Sequence, residues 1–145
     1  MTARVIYRLE IAGSIEEFPG ERVVRVRLAH GSIPPWTLGI CMLNESVVDM
    51  LSIHSEDRSF KLHLERCAGE TTGSIVVTSG SSAVTVALSS TELDRWVYFF
   101  LSYLRDGHAP VDHIDVDLDG SEPMTLVLHV PAEAAPVSPF RTSRR

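Results

Sequence analysis

Ser89 to Gly107 reads SSTELDRWVYFFLSYLRDG. The stretch predicts the one long helix of a mostly β chain. Half of the chain's ten aromatic side chains lie in it: Trp96, Tyr98, Phe99, Phe100 and Tyr103. Ser89, with Glu92 three residues on, fits a capping box in which hydroxyl and carboxylate each hold a backbone N–H. Asp94 adds negative charge near the positive end of the helix dipole. Leu93, Trp96, Val97, Phe100, Leu101 and Leu104 recur at three- and four-residue steps and predict one apolar stripe. Arg105 in the last turn, Gly107 as a left-handed cap and Pro110 beyond it mark the end. Burying each large side chain of the stripe gains about 1.5–3 kcal/mol, so a broad apolar surface must lie opposite. Tyr98, Phe99 and Tyr103 fall off the stripe. They either flank the core with one side in water or form a partner-binding edge.

Outward from the helix, two-faced strands follow the period of two. Ala3 to Ile11 alternates Val5, Tyr7, Leu9 and Ile11 against Arg4, Ile6, Arg8 and Glu10. Residues 12–21, with Gly13, Pro19 and Gly20, predict a loop. Glu21 to His30 turns Val24, Val26 and Leu28 inward and Arg25 and Arg27 outward, and the two strands are expected to pair antiparallel. Gly31 to Pro35 is a break, because consecutive prolines cannot join a ladder or continue a helix. Trp36 to Asn44 predicts a buried strand with Trp36 as a core anchor, and Glu45 to Ile53 fits a short helix or a strand. Phe60, Leu62 and Leu64 mark another strand. Ser74 to Thr78 and Ala83 to Leu88 form a hairpin with Gly80 at its turn, expected to be central and covered by the helix. Val111 to Leu118 and Met124 to Val130 form a second hairpin.

The expected fold is α+β: an antiparallel sheet of seven to eight strands packed against one long helix. Residues 1–130 are expected to form a single domain, and 131–145, rich in Pro and Ala, a disordered tail. At 145 residues the chain can bury roughly 70% of its extended surface without a metal or disulfide. Cys41 and Cys67 fit no zinc spacing and are expected to be reduced thiols. The first residues lack the apolar core of a signal peptide, and no apolar run would span a bilayer. A cytoplasmic location without membrane contact is therefore expected. Of 13 basic residues only Lys61 is lysine, a bias that suggests a GC-rich bacterial genome.

The net charge of −6 is concentrated. Between residues 91 and 130, eight acidic side chains face only Arg95 and Arg105, and that excess equals the charge of the whole chain. Such a balance disfavours phosphate contacts to nucleic acid and suits a basic protein partner. Its centre is Asp112 to Gly120, DHIDVDLDG. As a strand it places Ile114, Val116 and Leu118 on one face and His113, Asp115, Asp117 and Asp119 on the other, with like charges about 7 Å apart. Three readings are open: a solvated edge kept from aggregation by charge, a contact surface for a basic partner, or a divalent cation site. Asp115, Asp117, Asp119 and Gly120 match the start of a calcium-binding EF-hand loop, but Leu126 stands where the bidentate glutamate belongs. A looser cation site on Asp117, Asp119 and Glu122 stays open.

No other constellation carries chemistry. There is no GxSxG, no phosphate loop and no dinucleotide fingerprint, and the six histidines show no metal-binding pairing. No cofactor is expected. In a small acidic chain, the "S-x-x-E-L-D-x-W" helix at Ser89 to Gly107 and the hairpin at Asp112 to Val130 resemble immunity proteins of bacterial toxin systems. The resemblance implies a non-enzymatic protein that binds a basic toxin and occludes its active site. The expected partner contacts are His113, Asp115, Asp117, Asp119 and Glu122, with Tyr98, Phe99 and Tyr103. The alternatives are an accessory subunit of a larger bacterial complex, and a small-molecule-binding or enzymatic domain with its pocket between helix and sheet.

Overall fold

A computed structural model describes residues 4–18, 20–67, 73–80, 82–120 and 123–131. Among these, nine strands and two α-helices follow the order β1 (Ile6–Ile11), β2 (Gly13–Phe18), β3 (Val23–Leu28), α1 (Ile33–Asn44), β4 (Met50–Ser55), β5 (Lys61–Arg66), β6 (Ile75–Ser79), β7 (Ala83–Leu88), α2 (Ser90–Asp106), β8 (His113–Leu118) and β9 (Met124–His129). The fold is α+β and mostly sheet, as expected. It differs from the expected single antiparallel sheet with one helix. Two mixed sheets form instead, with orders β1-β4-β5-β7-β6 and β2-β3-β9-β8. The expected tail lies outside the described residues, apart from Pro131.

The two sheets meet at both edges. At one, the chain passes from β1 into β2 through Ala12 alone. Gly13 makes that passage possible, since a Cβ there would stand 1.9 Å from the Arg27 carbonyl oxygen. At the other, Asp119 donates its N–H to Ser74 and accepts from Val76, so β8 touches β6. Inward side chains of both sheets and both helices share one core.

The first two expected strands do not pair with each other. β1 runs parallel to β4. The partner of β3 is β2, antiparallel, in the segment expected to be loop. The other neighbour of β3 is β9, parallel. The β6–β7 hairpin forms, but β6 is an outer strand of its sheet rather than a central one. The ambiguous segment resolves into a turn followed by β4.

The expected strand at Trp36 to Asn44 is a helix. Pro34 and Pro35 occupy its first turn, where a missing N–H costs nothing. Ser32 precedes it without capping it, because its hydroxyl serves the Ala12 N–H at 2.7 Å. Trp36 is fully buried, as expected. Its ring stacks on Trp96 at 6.3 Å and meets Phe100 edge-on at 5.8 Å, so α2 packs chiefly on α1.

The ends of α2 lie as the sequence indicates. Ser89 accepts from the Glu92 N–H at 3.1 Å, and Gly107 takes φ 81°. The Glu92 carboxylate does not complete the capping box; it accepts instead from Trp96 Nε1 at 2.7 Å. The buried stripe is Leu93, Trp96, Phe100 and Tyr103, while Leu101 and Leu104 are 48% and 42% exposed. Tyr103 turns inward because its hydroxyl reaches His30 Nδ1 at 2.7 Å, tying the end of α2 to the turn before α1. Trp96→Ala should therefore cost about 3–5 kcal/mol in a urea titration, whereas Leu101→Ala should cost less than about 1 kcal/mol. Equal costs would restore the stripe read from the sequence.

Candidate functional site: the outer face of the second sheet

Register and parity build this face. β8 buries Ile114, Val116 and Leu118 and exposes His113, Asp115 and Asp117. Its pairing with β9 sets His113 beside His129, Asp115 beside Val127 and Asp117 beside Thr125. The pairing of β9 with β3 carries these rows on to Arg27, Arg25 and Val23. β2 then adds Ser14, Glu16 and Phe18. Three rows result: Ser14–Arg27–His129–His113, Glu16–Arg25–Val127–Asp115, and Phe18–Val23–Thr125–Asp117. Val127 is 7% exposed although it lies on this outer face, away from the core residues of β9. The polar side chains around it thus stand over an apolar centre.

Charge is divided across the face. On the β8 side, the Asp115 and Asp117 carboxylates form no ion pair among the described residues, although the Arg95 guanidinium reaches the Asp115 backbone carbonyl. Asp117 accepts from the Thr125 hydroxyl at 3.2 Å. On the β3 side, Arg27 donates to Glu16 at 3.2 Å, and the Arg25 guanidinium lies 5.8 Å above the Phe18 ring. Between them, Arg25 Nη1 is 3.0 Å from His129 Nε2. The His129 and His113 rings are 5.5 Å apart, and His113 Nδ1 is 2.8 Å from Asp112 Oδ1. That hydrogen bond from His113 holds the Asp112 carboxyl below its usual range.

The free side of β8 is tied to α2. An edge strand presents unpaired backbone groups, and at Asp115 the carbonyl accepts from Arg95 Nη2 at 2.7 Å. Glu92 holds Arg95 in place at 2.9 Å while accepting from the buried Trp96. The strand end is fixed too, by the Asp119 bridge to β6. Asp117 and Asp119 also border an open cleft of about 270 Å³ with Glu21, Arg22, Met124 and Thr125. Arg22 adopts φ 56° there and donates from Nε to the Pro123 carbonyl at 2.7 Å.

Of the expected contact residues, His113, Asp115, Asp117 and Asp119 are exposed on one strand and its end. Glu122 lies outside the described residues. Tyr98 is 73% exposed on α2, and Phe99 is half-buried against Phe100. Tyr103 is buried and cannot serve as an exposed edge. The hydrogen bond between α2 and β8 comes from Arg95. The Arg25, Arg27 and His129 side chains of the same face were not among the expected contacts. Their outward parity is visible in the sequence, but the parallel β3–β9 pairing that brings them beside β8 is not. Among the described residues, no three His, Cys, Asp or Glu side chains lie so as to hold a metal ion. No described helix is long and apolar enough to cross a membrane.

No family model and no curated protein matches the chain. Among solved structures, Drosophila Suppressor of Fused is similar, with a TM-score of 0.45 and 15% identity over 83% of this chain. The chain spans only 27% of that protein, and a likeness at this level says nothing about function.

Replacing Arg95 by Met should uncover the Asp115 carbonyl and let β8 open locally. Amide hydrogen exchange at Ile114 and Val116 should quicken while exchange in β5 stays unchanged. Unchanged exchange in β8 would show that Arg95 does not hold the edge.

Proposed function

We propose that the chain is a non-enzymatic binding protein that meets a basic partner through the carboxylates of β8, in the manner of an immunity protein neutralising a toxin. The observation that supports this reading is the exposure of Asp115 and Asp117 on one face of an outer strand, with carboxylates that form no ion pair among the described residues. Carboxylates left unneutralised in a row attract cations over a longer range than a paired charge does. Complementary charge speeds encounter and sets orientation more than it adds affinity. A basic toxin would approach along β8, and the fixed edge gives it a rigid surface, which lowers the ordering cost of association. Asp119 and the neighbouring cleft extend the acidic surface at the end of the strand. The exposed Tyr98 widens the proposed contact. An accessory subunit of a larger complex would use the same surface. It would differ in having a partner whose own activity is not inhibited.

Asp115→Lys with Asp117→Lys tests the proposal. Both positions are exposed, so folding should change by no more than about 1 kcal/mol. Wild-type chain used as bait in extracts of its native host should retain a basic protein at low salt and lose it as salt rises. The double variant should retain none. The purified partner should also lose its activity when mixed one to one with wild-type chain. Equal retention by the variant would place the contact elsewhere. A partner that stays active in the complex would favour the accessory role.

A further inference from the structure

We infer that the outer stripe of α2, with the uncharged helix α1 beside it, is the contact for a second copy of this chain, joined antiparallel about a two-fold axis. The contact is independent of the proposed use of β8.

The two helices lie side by side in opposite directions. Asn44, at the end of α1, donates to Asp94 near the start of α2 at 3.2 Å. His30, just before α1, meets the Tyr103 hydroxyl near the end of α2 at 2.7 Å. Between these ties, Trp36 closes the buried side against Trp96 and Phe100. The outer side is apolar. α1 reads IPPWTLGICMLN and carries no charged side chain on any face, although Pro34 and Leu38 are exposed. A helix at the surface ordinarily turns charged residues to the water. On α2, Tyr98, Leu101 and Leu104 are exposed as well. Large apolar side chains gathered on one surface mark a place of contact, and tyrosine is favoured in such places.

The charges select the occupant. Asp94, Tyr98, Leu101 and Arg105 follow at steps of four, three and four residues, which brings them into one line along α2. Asp94 and Arg105 are equally far from the midpoint between Phe99 and Phe100, and so are Tyr98 and Leu101. A two-fold axis at that midpoint, perpendicular to α2, sets Asp94 against Arg105 of the second copy and Tyr98 against Leu101 of the second copy. The same axis repeats both contacts in reverse, which is what an isologous interface requires. A parallel pair would instead set acid against acid and base against base. A wholly basic or wholly acidic partner would satisfy one end of the line and be repelled at the other.

Both end charges can take part. Asp94 is exposed, and Asn44 engages one of its two carboxylate oxygens. Arg105 donates to its chain neighbour Asp106 at 2.9 and 3.0 Å. An exposed pair of this kind contributes little, so exchanging it for one across the interface costs little. Tyr98 is one turn from Arg95, which faces β8. A β8 partner that also covered Tyr98 would therefore compete with the second copy. Four large apolar side chains per copy cover less than the about 800 Å² of a standard interface, so the dimer should dissociate on dilution.

Sedimentation velocity of the full chain, from about 1 μM to about 500 μM, reads the contact directly. Wild type should move from the monomer mass toward twice that mass as concentration rises. Leu101→Glu, a change at an exposed position, should stay monomeric throughout. Asp94→Arg alone and Arg105→Asp alone should each weaken the dimer about tenfold or more, because like charges then meet across the axis. The two together restore opposite charges at both ends and should bring the dissociation constant back to within about threefold of wild type. Far-UV circular dichroism checks that each variant keeps its helices. Asp115→Lys with Asp117→Lys should dimerise as wild type does, which keeps this contact and the β8 reading separable. A wild type that stays monomeric at every concentration, an undiminished dimer in Leu101→Glu, or a charge-swapped double variant no tighter than the single ones would overturn the antiparallel contact. Loss of the dimer in the Asp→Lys double variant would overturn it too, by moving the contact to β8.

Discussion

A strand with one face on the core and the other in water buries every second side chain, and β8 gives those positions to Ile114, Val116 and Leu118. That constraint drives Asp115 and Asp117 outward, since a slip of one residue would bring both carboxylates into the core. The same parity, passed through β9 and β3 to β2, sorts the whole outer face of the sheet. Arg25, Arg27, His129 and His113 share it for the same reason that Val24, Val26, Leu126 and Leu128 share the core. The charge pattern of the face is thus a by-product of how the core is filled.

The helices support this face by meeting each other in the core and pinning one strand. α1 and α2 meet through Trp36, Trp96 and Phe100. From that buried contact Trp96 also anchors Glu92, which steadies Arg95 on the Asp115 carbonyl. Core packing and the outer edge are therefore linked through three consecutive hydrogen bonds. A change at Trp96 should therefore be felt at β8.

Local features were legible in the sequence and long-range ones were not. Ser89 and Gly107 marked both ends of α2 because caps act within a turn. The β6–β7 and β8–β9 hairpins were legible because their strands are neighbours in the chain. α1 was hidden because an apolar run that is buried on most sides has the same look as a buried strand, and its two prolines read as a stop when they were a start. β2 was hidden between Gly13 and Pro19, whose usual meaning is a loop. The parallel pairs β1–β4, β5–β7 and β3–β9 join segments distant in the chain, and no residue type announces them. At the site, exposure of His113, Asp115 and Asp117 on β8, and of Asp119 just past its end, followed from parity alone. Tyr103 did not, because its inward turn depends on His30, far away in sequence.

The proposed contact requires charge on β8 to guide association with a basic protein. The most direct measurement is the association rate constant with the captured partner, followed as ionic strength rises from about 0.01 M to about 0.5 M, where the screening length falls from about 30 Å to a few ångströms. A fall of tenfold or more, with little change in the dissociation rate, is the predicted result. An association rate that does not vary with salt would contradict it.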